Sequence, residues 1–162
     1  MSSQFEAFKK QITNPVKFRL FMLRKLPSAW FAGLKIESLT QEKAVISVKY
    51  SWFNQNPFRS VYVGILSMAS EVSTGILCMG ALYNRKPAVS MLVVKNEGHY
   101  YKKATGRILF TCKDGMAINA TVERAIETGE STSINCHTVG TNAVGETVAE
   151  FYFTWSFKVR QH

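Results

Sequence analysis

The sequence predicts an α+β fold: an antiparallel sheet wrapped around one long central helix, with extra N-terminal helices. Three observations carry this. Residues 61–83 form an apolar run whose only charge is Glu71, which suits a helix buried nearly all round. Segments alternating with period two occur in pairs on both sides of that run. The chain has neither a Gly-rich nucleotide loop nor a regular βαβ alternation. Its 162 residues are about one domain's worth. The expected organisation is one domain over 1–162, with a helical extension over 1–30 and the central helix over 60–83.

Composition narrows the class. With 46% hydrophobic, 12% aromatic and only 19% charged residues, the chain is neither disordered, coiled-coil nor collagen-like. A net charge of +9 points to an anionic partner: nucleic acid, a membrane surface or a phosphorylated ligand. Cys78, Cys112 and Cys136 have no metal spacing and read as reduced thiols of a cytoplasmic protein. His99, His137 and His162 are scattered, so no metal site is expected. Met1 to Lys10 carries no apolar signal core.

The elements follow in order. Phe5, Phe8 and Ile12 give a helical pattern over 4–12. Asn14-Pro15 is an N-cap followed by proline at the first helical position. The helix it opens runs to about Lys25, with Phe18, Phe21, Met22 and Leu26 apolar, and Pro27 ends it. Its polar positions are Lys17, Arg19, Arg24 and Lys25. Such a helix either lies on a membrane or packs on its own domain with a solvated basic face, and the second is expected. Residues 34–39 and 44–50 form a hairpin turning near Gln41-Glu42.

The 61–83 run is long enough to cross a membrane, but its Ser, Thr and Gly content and central carboxylate favour a buried core helix. Ile65, Met68, Val72, Ile76 and Met79 make an apolar stripe. Gly64, Ser67, Glu71, Thr74, Gly75 and Cys78 make a small, polar one. Strand signals follow over 88–94 and 102–112, then a short helix around Ile118, Val122, Ala125 and Ile126 that Gly129 stops. Two last strands span 131–139 and 147–159, their turn bracketed by Gly140 and Gly145. The last, rich in aromatics, suits the interior of the sheet.

Glu71 is the chemical signal. An ionised, unpaired carboxylate inside an apolar helix costs several kcal/mol. It therefore has either a Lys, Arg or hydroxyl partner or a function as a base with a raised pKa. Asn54 to Ser60 is a polar turn feeding the helix start, where free backbone N–H groups bind an oxyanion. Val63 and Gly64 lie two turns from Glu71, so a site using both would be completed by a second subunit. Cys78 reads as a core thiol, and Cys136-His137, pointing to opposite faces of a strand, form no dyad.

The runs Lys25-Leu26-Pro27-Ser28-Ala29-Trp30-Phe31-Ala32-Gly33, Asn56 to Gly64 with Ala69-Ser70-Glu71, Tyr101-Lys102-Lys103-Ala104, and Trp155-Ser156-Phe157-Lys158 resemble the hotdog-fold thioesterases, in particular the PaaI-like acyl-CoA thioesterase group and a branch of it described as a domain of unknown function. The resemblance covers about residues 18–158. It implies a hotdog fold and a thioester hydrolase. The family pattern is an amide residue, a His-Gly-Gly six residues on, then an acid. Here Asn56 takes the amide position, Tyr62 the histidine, Val63 and Gly64 the glycines, and Glu71 the acid.

The implied roles are carbonyl polarisation by the Val63 amide near Asn56, and activation of water or direct attack by Glu71 of the facing subunit. Thr74 would position a water. The departures at Tyr62 and Val63 favour an alternative, a hotdog module that binds acyl-CoA or a fatty acyl ligand without cutting it. Lys95, Lys102, Lys103 and Arg107, with Lys158 and Arg160, are candidates for the CoA phosphates. For each, a solvated surface charge is the simpler reading. Tyr100 and Tyr101 are either adenine-stacking or sheet residues. No cofactor is expected, CoA being part of the substrate. The expected partners are an acyl-CoA or acyl-carrier thioester and further copies of the chain, as a homodimer or dimer of dimers. Nucleic acid and an integral membrane span are not expected.

Overall fold

A computed structural model describes residues 3–160; Met1 and His162 lie outside the described residues. Helix α1 (Ser3–Ile12) is followed by α2 (Pro15–Lys25) and α3 (Pro27–Ala32). Asn14 caps α2 as expected: its Oδ1 accepts the Val16 and Lys17 N–H groups, both at 3.1 Å. Pro27 ends α2 but also opens α3, a helix the sequence reading lacked. Its proline is at the first turn, and Gly33 closes it at φ 71°.

Strands β1 (Lys35–Leu39) and β2 (Ala44–Lys49) form the expected hairpin. The long helix α4 (Val63–Leu82) follows, then β3 (Val89–Tyr100), β4 (Arg107–Cys112), helix α5 (Gly115–Thr128), β5 (Thr132–Thr141) and β6 (Thr147–Val159). The six strands form one sheet in the order β1-β2-β4-β5-β6-β3, antiparallel throughout. Helix α4 packs on β2, β4 and β5 and on α5. This is the hotdog arrangement: a sheet wrapped on a central helix.

Alternation builds the core. Ile46 and Val48 of β2, Ile108, Phe110 and Cys112 of β4, and Phe151, Phe153, Trp155 and Phe157 of β6 all point inward and are buried. Strand β6 lies inside the sheet, between β5 and β3. Burial of each large side chain contributes about 1.5–3 kcal/mol.

Three boundaries differ from expectation. Strand β3 extends to Tyr100 because a bulge at Val94, between Val93 and Lys95, lets pairing with β6 continue. Strand β4 begins only at Arg107, so 102–106 is a connecting loop. Gly140 lies within β5 rather than at the turn, since a Cβ there would sit 2.6 Å from the Phe110 ring. Gly145, at φ 82°, does make the turn.

The two stripes expected on α4 also divide differently. Leu66, Ala69, Ser70, Ser73, Thr74, Leu77, Cys78 and Ala81 are buried, whereas Ile65, Met68, Glu71 and Met79 are only partly covered. The deepest face therefore mixes small polar residues with leucines. Polar side chains can lie there because each finds a bond. Ser73 Oγ is 2.7 Å from Thr138 Oγ1, and Ser70 Oγ donates to the Ser67 carbonyl at 2.7 Å. Helix α4 is the one described helix long and apolar enough to cross a membrane, and 67% of its most apolar stretch is buried inside the fold.

Helix α1 closes on α4 at Gly80, where a Cβ would meet the Phe5 ring at 2.7 Å and Phe8 at 3.2 Å. Gly80→Val should therefore push α1 off α4, lower stability by about 1–3 kcal/mol, and open Lys9 and Lys10 to trypsin. Urea denaturation and limited proteolysis check this.

Candidate active site

The sequence-predicted residues gather at two places rather than one. The first is a cleft of about 420 Å³ at the start of α4, where Asn56, Val63, Tyr100, Lys102 and Lys103 meet. The second is an apolar cavity of about 140 Å³ further along α4, with Glu71 in its wall. At about 1.5 Å rise per residue, the eight residues from Val63 to Glu71 separate the two by about 12 Å.

The turn 54–62 prepares the first place. Asn56 Oδ1 accepts the N–H groups of Phe58 at 2.9 Å and Ser60 at 3.2 Å, while its Nδ2 donates to Ser60 Oγ at 2.9 Å. Asn54, buried, donates from Nδ2 to the Ala32 and Lys49 carbonyls at 2.8 and 2.9 Å, and its backbone carbonyl accepts the Tyr62 N–H at 2.7 Å. The turn thus fixes where α4 starts.

At that start, Tyr62 is the N-cap with φ −61° and ψ 138°, and its side chain makes no capping bond. The N–H groups of Val63 and Gly64 find no acceptor among the described residues. They are the first two free donors of a 20-residue helix, at its positive end. Val63 does not adopt positive φ, so its β-branched side chain fits this backbone. Gly64 has its own reason. A Cβ there would lie 2.7 Å from the Tyr62 ring, so the glycine lets the tyrosine fold over the helix start.

In the second place Glu71 is half-buried among apolar groups, among them Phe18 and Phe21 of α2, Ile76, Met91 of β3 and Trp155 of β6. No described residue gives its carboxylate an ion pair or a hydrogen bond. Burial alone holds its pKa above the ordinary 4.5. No described residue supplies the Lys, Arg or hydroxyl partner that one of the two possibilities open at the sequence level required. Gly75 makes room, because a Cβ there would sit 3.3 Å from Trp155 and 3.4 Å from Glu71 Oε1.

Thr74 needs a correction. It is fully buried; its hydroxyl donates to the Glu71 carbonyl at 2.9 Å and accepts from Trp155 Nε1 at 2.9 Å. It anchors Trp155 beside Glu71 instead of holding water. Trp155 itself was missed as a site residue. The signal was present: it is the one tryptophan in an alternating strand, on the inward parity.

The basic candidates separate too. Lys102 and Lys103 line the first cleft; Lys102 pairs with Glu146, and Lys103 Nζ donates to the Phe58 carbonyl at 3.4 Å. Lys95 and Arg107 do not join them. The β3 bulge turns Lys95 to the outer face, where it lies 3.6 Å from Glu97. Arg107 faces opposite to buried Ile108 and pairs with Glu37, whose carboxyl is held below its ordinary value by that hydrogen bond and by Ser47. Lys158 and Arg160 are exposed beyond both places. Tyr100 packs edge-on against Phe151 at 5.5 Å, and Tyr101 reaches Glu150. Cys78 is fully buried, and burial pushes its thiol far up, as a core thiol requires. No cluster able to hold a metal occurs among the described residues.

Residues 15–157 match the family described as Domain of unknown function (DUF4442). The chain belongs to that family. No curated protein matches its sequence. Among solved structures it is similar to a Pseudomonas aeruginosa protein of unknown function, given as a probable thioesterase. The identity there is 19%, the TM-score 0.76, and the match covers 93% of this chain and 99% of that one. It is also similar to the Escherichia coli PaaI protein from the phenylacetic acid degradation operon, at 13% identity and TM-score 0.67, covering 98% and 97%. A thioesterase of Haemophilus influenzae matches at 9% identity and TM-score 0.61, covering 88% and 91%. At these identities the likeness establishes the hotdog fold of this family member.

The Glu71 environment has a consequence for stability. The raised folded pKa means that the native state binds the proton more tightly than the unfolded chain. Stability from this group is therefore full below the unfolded value and declines as pH rises through the folded one. Glu71→Gln should melt above wild type at pH 7, and the gap should close on acidification below about pH 4.5. Paired melting curves across pH measure it.

Proposed function

We propose that the protein is an acyl-CoA thioesterase that works as a homodimer, with each active site shared between two copies. The observation that carries this is the split just described. Glu71 shares its cavity with Met91, near the start of β3. Val63, whose amide is free at the start of α4, shares its cleft with Tyr100, at the end of β3.

Strand β3 is an edge strand of 12 residues with Leu92 and Val94 exposed. A long open edge is a template for another strand. A second copy pairing antiparallel along it sets the start of one β3 beside the end of the other. Glu71 of one copy then faces the helix start of the second, and the 12 Å gap within one chain no longer matters. The names of the similar structures, thioesterases among them, support the same reading.

In this mechanism the acyl group enters the apolar cavity and its carbonyl oxygen points at the Val63 and Gly64 N–H groups. Glu71, its basicity raised by burial, takes a proton from water as the oxygen attacks the carbonyl carbon. The amides stabilise the tetrahedral oxyanion. Collapse breaks the C–S bond, the carboxylic acid forms, and the thiolate leaves as CoA thiol with the proton Glu71 held. Lys102 and Lys103, which line the cleft, bind the CoA phosphates; Lys95 and Arg107 line neither place. The three buried thiols, none in a disulfide, suit the cytoplasm.

A second reading is a hotdog module that binds acyl-CoA without turnover. It is favoured by Asn56, whose amide is occupied by its own turn.

Thiol release from acyl-CoAs of increasing chain length decides between them. Wild type should release thiol, and Glu71→Ala should be slower by about 10²–10⁴-fold. Val63→Pro deletes one N–H at a helix position that tolerates proline and should cost about 10²–10³-fold in kcat. If sites are shared, mixing unfolded Glu71→Ala and Val63→Pro chains and refolding them together should restore about a quarter of wild-type activity. Binding of acyl-CoA by wild type with no release would establish the second reading.

A further inference from the structure

We propose that the outer face of α2, together with the aromatic cluster beside it, docks on an anionic lipid bilayer surface. The basic residues of α2 do not form a simply solvated face. Val16, Leu20 and Leu23, at i, i+4 and i+7, form an outward apolar stripe with exposures of 76%, 47% and 46%. Lys17 and Arg24 flank the stripe on one side and Arg19 on the other, while Phe18 and Met22 on the opposite side are buried. An apolar stripe rimmed by cations is how a helix lies in the headgroup region of a bilayer.

The patch continues beyond α2. The Arg19 guanidinium lies 5.3 Å from the Trp30 ring, Trp30 contacts Phe31 at 5.0 Å, and Phe31 stacks on Phe53 at 5.8 Å. Next to Phe53, Trp52 is 83% exposed. Exposed Trp and Phe beside Lys and Arg are the residue types that settle at a membrane–water interface.

Charge selects the occupant. Between Glu6 and Glu37 the chain has seven basic residues and no acidic one. A second copy seated here would set like charges face to face. A nucleic acid would satisfy the charge but leave the aliphatic centre in water. An anionic bilayer satisfies both.

The test is co-sedimentation of the full chain with phosphatidylcholine vesicles, with and without phosphatidylserine. Wild type should sediment with the anionic vesicles only, less so as salt rises, and Trp52 emission should move to the blue. Leu20→Glu with Leu23→Glu should abolish sedimentation without lowering the melting temperature. Lys17→Gln with Arg24→Gln should weaken it by about thirtyfold. The proposal is overturned by any of three results: wild type stays in the supernatant at low salt, the Leu→Glu variant sediments like wild type, or the α2 variants change oligomer size while wild type ignores vesicles. A preference for duplex DNA over vesicles would overturn it too.

Discussion

A helix buried nearly all round must satisfy its polar side chains from its own backbone or from the sheet. Helix α4 meets that constraint at every deep position. Ser70 and Ser73 bond back to carbonyls one turn earlier, Ser73 also meets Thr138, and Thr74 takes the Trp155 indole N–H. These bonds keep α4 close to the strands and fix its rotation. Glu71 is what remains: a carboxylate in a cavity between the sheet, at Met91 and Trp155, and the N-terminal helices, at Phe18 and Phe21. Its raised pKa follows from burial with no charged or hydrogen-bonding neighbour. Had any Lys or Arg packed in the cavity, it would be an ordinary buried ion pair.

The same constraint explains what could be read in advance. Period-two and period-3.6 patterns are local, so the helices α1, α2, α4 and α5 and the strands β1, β2, β5 and β6 were legible with small boundary changes. A lone charge in an apolar helix is also local, and so Glu71 was legible. The bulge at Val94 was not. It leaves no signature beyond a β-branched run, yet it shifts the parity of everything after it. Lys95, Glu97 and His99 thereby turn outward, while Asn96 and Gly98 pair inward with Phe153 and Phe151. A CoA-binding role for Lys95 was lost to one inserted residue.

The other misassignments are tertiary. Nothing near Thr74 in sequence says that a tryptophan 81 residues later will take its hydroxyl. Gly140 looks like a turn glycine until the Phe110 ring is found against it. Helix α3 is only six residues long, too short for periodicity, and its opening proline reads equally as the end of α2. The split between Glu71 and the Val63 amides, by contrast, was visible from helix rise alone. The structure adds that the two places sit near opposite ends of one edge strand, β3.

Helix α2 joins the remaining parts. Its inner side chains, Phe18 and Phe21, wall the Glu71 cavity, and Leu26 at its end closes the rim. Its outer side chains, Val16, Leu20 and Leu23, meet solvent. The cavity of about 140 Å³ is smaller than the roughly 300–1,000 Å³ usual for a ligand pocket. A larger ligand therefore enters only if α2 shifts. Few backbone bonds resist that shift: the Asn14 cap and the Leu26 N–H on the Met22 carbonyl at 2.7 Å close α2 on itself, and the bonds to its neighbour α3 are those of the Ala29 and Trp30 N–H groups on the Leu26 carbonyl. Its main hold is apolar contact along one face. A surface that offers its other face an equally apolar setting weakens the preference for the closed position, so docking and cavity size are linked through the same short helix.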